Sequence, residues 1–489
     1  MTAIAPVGGV SVDTRHWIGG MRVASAAEFE DVSPIDGTVI ARVARGGAAE
    51  ADLAVAAAAR AFPGWAATPA IERARLLHAI ADGVDKRAEE LGRVETTDNG
   101  ALLRSHRRGV MPRVAHNFRF FADYLTQQLG HPDFDTRGHR NHVTWDPAGP
   151  TALISPWNAP LMLATWKVAP ALAAGNTVVL KPSEWSPLTA SLLADIAHEA
   201  GLPAGVLNVL QGIGEEAGAA LVAHPGIRRI SFTGSVPTAR HIARAAAANL
   251  TPVSLELGGK SPFLVFADAD LDLAVANAVE QYDNAGQVCL SGSRLLVEES
   301  VRDAFTEKFL ARAAALHQGD PRDEATDIGP LVHAEHMARV DGFVQRAKAD
   351  GATVLLGGGR NTELGGLYYR PTLFTDVKPG AEIAREEVFG PVLVLDTFSD
   401  EDEAVAKAND TDFGLAATVF TTDEDRAARL AGRLVAGTVW VNCFFVRDLR
   451  APFGGARNSG IGREGGTWSF DFFCDVKNSV FAPHGWKVA

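Results

Sequence analysis

Residues 151–184 decide the fold of this 489-residue chain and read TALISPWNAPLMLATWKVAPALAAGNTVVLKPSE. Two apolar runs, from Thr151 to Ser155 and from Thr177 to Lys181, have the length of buried strands, and the segment from Leu161 to Ala174 predicts a helix between them. This order of strand, helix and strand indicates a parallel sheet covered by helices. Ligands of such sheets bind beyond the carboxyl ends of the strands, so polar residues there are candidates for a binding site.

The same alternation extends over most of the chain. We predict further strands at Leu207–Leu210, Arg229–Thr233, Phe263–Phe266, Arg294–Val297 and Val392–Phe398. We predict further helices at Glu50–Ala61, Ile71–Glu95, Pro112–Leu125, Ser186–Ala200, Gly214–Ala223 and Thr238–Ala247. Short strands between Trp17 and Val43 and an extended hairpin from Gly130 to Trp145 complete the pattern. Because the chain exceeds the size of one hydrophobic core, two or three domains are expected.

Composition excludes several classes of protein. A net charge of −13 argues against general binding of nucleic acid, which favours a basic surplus. The three cysteines have no CxxC spacing, so they indicate a reducing compartment and neither a disulfide framework nor a zinc site. No apolar run reaches the roughly 20 residues of a membrane span, and the N-terminus lacks the features of a secretory signal. We therefore expect a cytoplasmic protein with no membrane partner and no metal.

Two glycine-containing segments carry candidate reactive groups. Cys289 lies in the segment NAGQVCL, residues 284–290, and Glu256 precedes a pair of glycines. A thiolate nucleophile requires access, a nearby proton acceptor and backbone that can approach the reacting carbon. Asn158, at the end of another predicted strand, could donate to an oxyanion together with the backbone N–H of Cys289. A buried structural cysteine and a turn asparagine are the alternatives that the residues alone leave open.

Polar residues at two more strand ends fit a nucleotide. Gly234 and Ser235 follow a predicted strand and open a helix, whose unpaired N–H groups can bind a phosphate. Lys181 and Glu184 follow another strand, where a lysine can donate to ribose or phosphate oxygens and a carboxylate can accept from ribose hydroxyls. A solvated surface pair is the alternative for these two residues.

Six segments together resemble the signature set of the NAD(P)-dependent aldehyde dehydrogenase superfamily. They occur in the family's order and spacing and are Pro156–Pro160, Lys181–Glu184, Phe232–Ser235, Leu255–Pro262, Gly286–Cys289 and Glu386–Pro391. The resemblance extends from about Trp17 to Phe481. It implies an α/β fold with a Rossmann-like NAD-binding domain, a second α/β catalytic domain and a small β bridging element.

The resemblance also implies a division of the chain and an assembly. The expected NAD-binding domain is 1–127 with 148–256, the catalytic domain is 257–457, and the bridging element is 128–147 with 473–489. In the family such protruding strands extend a sheet of a neighbouring subunit, so a homodimer or homotetramer is expected. The apolar residues expected to supply this contact are Phe470, Phe472, Phe473 and Val476.

By the same resemblance, Cys289 would attack the aldehyde carbon, and Asn158 with the Cys289 N–H would bind the oxyanion. Glu256 would activate the water that hydrolyses the resulting thioester. The resemblance implies cofactor-binding roles for Trp157, Lys181, Glu184, Gly234, Ser235, Glu387 and Phe389. A carboxylate at position 184 disfavours a 2′-phosphate, so NAD is expected over NADP. Glu464 could either join a proton relay from Glu256 or be a structural carboxylate.

The C-terminal run from Val446 to Gly455 resembles hydroxymuconic semialdehyde dehydrogenases, including the 5-carboxymethyl-2-hydroxymuconic type. Buried arginine is costly without an anion, and a substrate carboxylate would supply one. The residues expected to line the substrate tunnel are Arg113, Met162, Trp166, Arg447 and Phe453. An ion pair between Arg447 and Asp448 is the alternative, and Arg450 is the less favoured arginine of this loop.

Other functions remain open on the sequence. A neutral aromatic or aliphatic aldehyde, or succinic semialdehyde, is the alternative substrate. An acylating dehydrogenase is disfavoured because Glu256 is present, and a cysteine hydrolase because no Cys–His pair is readable. A non-catalytic binding homologue is disfavoured by the combination of Cys289, Glu256 and Asn158.

Overall fold

A computed structural model describes residues 3–487 of the chain. The N-terminal part contains β1 (Ile4–Val7), β2 (Val10–Asp13), β3 (His16–Ile18), β4 (Met21–Val23), β5 (Glu28–Val32), β6 (Val39–Ala44), α1 (Ala48–Ala66), α2 (Ala70–Lys86), α3 (Ala88–Asn99), α4 (Leu103–Ser105) and α5 (Met111–Gln127). A hairpin and a βαβ region follow, with β7 (Asp133–Thr136), β8 (His139–Pro147), β9 (Thr151–Ile154), α6 (Pro160–Ala173), β10 (Val178–Lys181), α7 (Leu188–Glu199), β11 (Leu207–Val209), α8 (Ala219–Ala223), β12 (Arg229–Gly234), α9 (Val236–Ala247) and β13 (Val253–Leu257).

The second half of the chain repeats the alternation of strands and helices. Its elements are β14 (Pro262–Val265), α10 (Leu271–Val279), β15 (Arg294–Glu298), α11 (Arg302–Ala314), α12 (Ala334–Ala349), β16 (Thr353–Leu356), β17 (Thr372–Thr375), α13 (Glu382–Arg385), β18 (Val392–Phe398), α14 (Glu401–Asn409), β19 (Ala416–Phe420), α15 (Glu424–Arg433), β20 (Thr438–Val441), β21 (Gly460–Ile461), α16 (Gly466–Phe473) and β22 (Cys474–Phe481).

Two large sheets organise the molecule. The first has the strand order β21-β13-β12-β9-β10-β11-β3-β4 and is parallel from β13 to β11. The second has the order β16-β17-β18-β15-β14-β19-β20 and is parallel apart from β16. Helices cover both sheets, and their apolar faces form separate hydrophobic cores on each. The predicted α/β fold class is therefore confirmed.

Local chemistry explains where the elements begin and end. Strand β10 is buried along its whole length, as expected for a central parallel strand. Helix α9 begins after Ser235, whose hydroxyl accepts from the Thr238 N–H. The predicted single helix Ile71–Glu95 is wrong, because Arg87 leaves helical geometry and separates α2 from α3. The predicted helix Gly214–Ala223 begins instead with a π-turn over Gly214–Gly218 before α8.

A third sheet of three strands has the order β22-β8-β7, with β22 paired to β8 from Cys474 to Phe481. The two short sheets β1-β2 and β5-β6 are separate hairpins. The domain boundaries expected from sequence stay a prediction, and residues 1, 2, 488 and 489 of those ranges lie outside the described residues. Within residues 3–487, no helix has the length and apolar character needed to cross a membrane.

The expected subunit-contact residues are only partly exposed. Phe470 and Phe473 are buried in the core beside α5 and α6, so the prediction that these two rings contact a partner is wrong. Phe472 packs against that core and is half-buried, so its predicted contact stays a prediction. Val476 is exposed as predicted, and Val480 and Phe481 of the same strand are exposed with it. The sequence pattern did not separate these two groups, because α16 ends at Phe473 and the chain leaves the core at β22.

Candidate active site

A cavity of about 590 Å³ lies beside the carboxyl end of β13 and contains every predicted catalytic residue. Its predicted lining residues are Arg113, Asn158, Met162, Trp166, Glu256, Cys289, Arg447 and Phe453. The other predicted site residues do not line this cavity. They are the seven assigned to the cofactor: Trp157, Lys181, Glu184, Gly234, Ser235, Glu387 and Phe389.

The loop that carries Cys289 is built from unusual backbone. Asn284 and Ala285 have φ of 50° and 54°, and Gly286 follows at φ 70°. A side chain at Gly286 would overlap the Gly390 carbonyl, so only glycine lets these two backbones meet. Cys289 is half-buried at the cavity wall. Strained loops of this kind are typical of functional sites.

The thiol of Cys289 is held in its protonated form. Burial raises its pKa to about 12, and the negative charges of Glu387 and Glu256 act in the same direction. Arg447 opposes them with a smaller effect. Since the thiolate is the nucleophile, Cys289 needs a base to remove its proton at neutral pH.

Glu256 is a candidate base in the cavity. It is the penultimate residue of β13 and 3% exposed, and neither carboxylate oxygen has a hydrogen-bond partner among residues 3–487. Burial raises its pKa well above the usual range, and the charge of Glu464 raises it further. A carboxylate with a raised pKa is a stronger base than an exposed one.

Glu464 lies behind Glu256 in a buried network that sequence reasoning left undecided. Its Oε1 accepts from Lys167 Nζ at 2.7 Å and from Ser231 Oγ at 3.1 Å, while Oε2 has no partner among the described residues. Lys167 was not predicted as a site residue, although a lysine in the otherwise apolar helix α6 is an available signal. Lys167 is 1% exposed, and its Nζ donates to Ser231 Oγ as well as to Glu464 Oε1.

Asn158 reaches the cavity after β9, where it bonds with the cysteine loop. Its Nδ2 donates to the Gln287 carbonyl at 2.9 Å, and the Asn284 amide donates to the Asn158 carbonyl at 2.9 Å. A side-chain amide carries two N–H groups, so one remains for a ligand. Asn284, the first residue of the segment NAGQVCL, was not predicted as a site residue, and its side chain connects the two loops.

Two of the residues assigned to a nucleotide, Lys181 and Glu184, are bonded to each other outside this cavity; the region around the seven assigned residues is called the cofactor cleft below. Lys181 Nζ donates to Glu184 at 2.9 Å, and the Gly214 N–H donates to the other Glu184 oxygen at 3.2 Å. Burial alone would raise the pKa of Glu184, but the charge of Lys181 and the hydrogen bonds from Lys181 and the Gly214 N–H together hold it below its usual value. Ser235 caps the twelve-residue helix α9. A side chain at Gly234 would collide with the Phe232 ring.

Glu387 and Phe389 lie on the segment before β18 and close one side of this region. The Gly259 N–H donates to Glu387 Oε1 at 3.1 Å, and burial raises the pKa of Glu387 to about 7. Phe389 has φ of 59°, and its ring packs edge-on against Trp157 at 5.2 Å between centroids. These contacts place Trp157 beside Phe389.

Arg447 and Arg113 face the cavity without an acidic partner in residues 3–487. The Arg447 guanidinium lies 3.7 Å from the centroid of the Phe453 ring and 5.0 Å from that of Trp166. Arg113 lies 5.6 Å from the same Trp166 ring, and within the described part of the chain its only side-chain hydrogen bond is to Asn117. Burial, followed by repulsion from Arg113, lowers the pKa of Arg447 to about 10.

The alternative ion pair of Arg447 with Asp448 is wrong. Asp448 bonds bidentately to Arg450, which is 67% exposed and points away from the cavity lining. The Val446 carbonyl accepts from Trp440 Nε1 at 2.8 Å and so fixes the loop that carries Arg447. Lining residues that sequence reasoning missed include His106, Asn117 and Phe445.

The chain belongs to the aldehyde dehydrogenase family, whose sequence profile matches residues 22–479. A 2-hydroxymuconic semialdehyde dehydrogenase from Pseudomonas sp. (strain CF600) is 46% identical over 481 residues, covering 95% of this chain and 99% of that protein. A 5-carboxymethyl-2-hydroxymuconate semialdehyde dehydrogenase from Escherichia coli is 45% identical over 463 residues, covering 93% and 98%.

A solved structure agrees with this membership. The betaine aldehyde dehydrogenase from Staphylococcus aureus in complex with NAD+ has a TM-score of 0.94 and 37% identity, covering 98% of this chain and 96% of that one. The predicted family and the predicted class of enzyme, an aldehyde dehydrogenase, are therefore confirmed.

Proposed function

We propose that this chain oxidises a carboxylate-bearing semialdehyde of the hydroxymuconic type to its acid, with NAD as acceptor and Cys289 as nucleophile. The observation that carries the substrate class is the pair of cavity arginines, Arg447 and Arg113, that lack an acidic partner within residues 3–487. The two semialdehyde dehydrogenases named above, at 46% and 45% identity, support the same class.

The cleft residues fit NAD. Glu184 presents a carboxylate already held by Lys181 and the Gly214 N–H, which suits two ribose hydroxyls and disfavours a 2′-phosphate. The start of α9 at Ser235 suits the pyrophosphate, and Glu387 with Phe389 suits the nicotinamide half. The chemistry that NAD supplies when bound is acceptance of a hydride from the aldehyde carbon.

The first step on the protein is proton removal from Cys289. Glu256 lies in the same cavity with both oxygens free of partners in the described chain, and its charge raises the pKa of the Cys289 thiol. Transfer of the thiol proton to Glu256 removes that carboxylate charge as the thiolate forms, so the two negative charges do not have to coexist. The Cys289 sulfur then bonds to the aldehyde carbon and gives a thiohemiacetal.

The oxyanion of this adduct needs donors aimed at it. The free N–H of the Asn158 amide and the backbone N–H of Cys289 are the two candidates. The bond from Asn158 to the Gln287 carbonyl fixes the amide plane, so the remaining N–H has a set direction. Loss of hydride converts the adduct to a thioester on Cys289.

Hydrolysis of the thioester returns the enzyme to its starting state. Once Glu256 has released the thiol proton towards solvent, it accepts a proton from water and the hydroxide adds to the thioester carbon; the carbon–sulfur bond then breaks to release the acid and the Cys289 thiolate, which takes a proton back from Glu256. The Glu464 and Lys167 network behind Glu256 could carry the released thiol proton onward or act as a structural support for β13.

The apolar part of the cavity favours a second substrate class, neutral aromatic aldehydes. Trp166, Phe453 and Met162 line the same space and could pack against a ring. A panel that follows NADH absorbance with 2-hydroxymuconic, 5-carboxymethyl-2-hydroxymuconic and succinic semialdehydes and benzaldehyde separates these classes. We expect the highest kcat/KM for a hydroxymuconic substrate; a preference for benzaldehyde would overturn the proposed substrate class.

A homo-oligomer is part of this proposal. Strand β22 lies at one edge of the three-stranded sheet and exposes Val476, Val480 and Phe481. Exposed apolar edge strands invite pairing with another strand, and a second copy of the chain is the expected partner. Sedimentation of the purified protein tests it, and a monomer at micromolar concentration would contradict it.

A further inference from the structure

We propose that His336 and Arg339 are positioning residues that hold the 387–389 segment in place and so determine how tightly the chain binds the nicotinamide half of its cofactor. The inference rests on the proposed binding of NAD in this cleft. Neither side chain is among the predicted site residues.

Two side chains of one helix hold three consecutive carbonyls. Arg339 Nη2 donates to the Glu387 carbonyl at 2.7 Å and Nη1 donates to the Val388 carbonyl at 2.8 Å. His336 Nε2 bonds to the Phe389 carbonyl at 2.7 Å. Residues three apart share a face of a helix, so α12 presents both donors to the segment together.

The held segment lacks regular structure of its own. It lies between α13 and β18, and Phe389 adopts a left-handed φ of 59°, which non-glycine residues rarely adopt. A conformation of this kind persists only when its surroundings impose it. The bonds from His336 and Arg339 are the polar contacts that do so from α12.

The position of this segment controls groups of the active site. The Glu387 carboxylate accepts from the Gly259 N–H, and a side chain at Gly258 would collide with it. The carbonyl of Gly390, the next residue, meets Gly286 of the cysteine loop with no room for a Cβ. Release of the segment would therefore move both the cofactor carboxylate and a support of the Cys289 loop.

The same helix face also contacts the first sheet's loops. The His336 ring lies 5.1 Å from Trp157, and the Trp157 ring in turn packs on Phe389. His333, one turn earlier, stacks on Trp185 at 3.8 Å with an interplanar angle of 9°. These contacts connect α12 to the loops after β9 and β10, which carry Trp157 and Glu184 of the proposed cofactor residues.

Paired substitutions separate positioning from general support. His336→Leu removes the donor, whereas His336→Gln keeps an amide N–H that can reach the Phe389 carbonyl. Arg339→Met removes both of its bonds, and Arg339→Lys can restore one. Arg346→Met is the control, because Arg346 lies on the same helix but its ion pair is with the exposed Glu382 side chain.

Calorimetric binding of NAD and of ADP, with thermal unfolding alongside, gives a readout that does not depend on turnover. For His336→Leu and Arg339→Met we expect NAD to bind about tenfold more weakly, the factor expected for one or two lost hydrogen bonds. ADP should bind as to the unchanged protein, since it lacks the nicotinamide half. His336→Gln should recover most of the NAD affinity, and KM for NAD should rise more than KM for the aldehyde.

Each contrary outcome has a distinct meaning. Equal loss of NAD and ADP binding, or wild-type NAD affinity in both His336→Leu and Arg339→Met, would overturn the positioning role. A wild-type protein that binds neither ligand would instead overturn the proposed function itself.

Discussion

Three charged side chains of the substrate cavity lack an ionic partner among residues 3–487, whereas two charged side chains of the cofactor cleft are bonded to each other. In the cavity, Arg447, Arg113 and Glu256 are buried or half-buried and have no oppositely charged partner in residues 3–487. In the cleft, Lys181 and Glu184 are already bonded to each other. An unpartnered buried charge is costly, so the cavity is least satisfied when empty and gains most from a charged ligand.

This contrast assigns cofactor binding and substrate chemistry to different regions of the protein. Side chains of the cleft that are already bonded lose little conformational entropy when a ligand binds, which suits a cofactor that must bind similarly for every substrate. The cavity keeps a base and two cations available for a substrate that arrives with an aldehyde and a carboxylate. Each prediction below alters one side of this comparison.

The largest effect is expected for Cys289→Ala. Removal of the sulfur should lower aldehyde oxidation by at least about 10⁴-fold, because no other group in the cavity can form the covalent adduct. NAD affinity measured by calorimetry should stay within about threefold of wild type, since the cleft is untouched. Residual oxidation near the wild-type rate would remove Cys289 from its role.

The next largest effect is expected for Arg447→Met on an acidic semialdehyde. Loss of one buried charged contact should reduce kcat/KM by roughly 10²-fold, and benzaldehyde should change far less. Arg450→Met is the matched control, because Arg450 is exposed and bonded to Asp448. A similar loss for both substrates, or a similar loss in the control, would argue against a carboxylate-binding role.

The reactivity of Cys289 should depend on pH in a direction set by its neighbours. Because burial and nearby carboxylates raise the pKa of Cys289 to about 12, alkylation of the cofactor-free protein should rise about tenfold per pH unit from pH 7 to 10. Glu256→Gln removes a negative charge, lowers the thiol pKa and should speed alkylation at a fixed pH. Iodoacetamide labelling followed by mass spectrometry measures both; a plateau below pH 9 would conflict with the buried thiol.

A smaller effect is expected on the cleft side for Glu184→Gln. The change breaks the ion pair with Lys181 and weakens an acceptor for ribose hydroxyls, so NAD should bind about tenfold more weakly. The preference for NAD over NADP should narrow, because the repulsion of a 2′-phosphate is gone. Competition binding of the two cofactors measures this ratio, and an unchanged preference would place selectivity elsewhere.

Sequence patterns predicted the fold, but they did not predict the hydrogen bonds that connect the residues of the site. The run from Thr151 to Lys181 predicts β9, α6 and β10 within two residues at each end, because the two outer runs have the length of buried strands and the apolar run between them has the length of a helix. The helix break at Arg87 could not be predicted from sequence, because arginine has good helix propensity and no Gly or Pro comes directly after it. Phe470 and Phe473 were misplaced because apolar character alone does not separate core from interface.

The site shows the same limit. Family-like segments located Cys289, Glu256 and Asn158, which the fold then brings to one cavity. Lys167 and Asn284 act through bonds to residues more than 100 positions away, and no local pattern predicts such contacts. The partner of Asp448 was equally undecidable from sequence, because Arg447 and Arg450 both lie close to it along the chain.

The most direct measurement is mass spectrometry of Glu256→Gln at pH 9, where solvent hydroxide can form the Cys289 thiolate in place of Glu256, after a single turnover with NAD and an equimolar mixture of 2-hydroxymuconic semialdehyde and benzaldehyde. Slowed hydrolysis should leave a covalent acyl group on the peptide that contains Cys289, and its mass should be that of the hydroxymuconic acyl group. Absence of any adduct, an adduct on another residue, or a predominant benzoyl group would contradict the account.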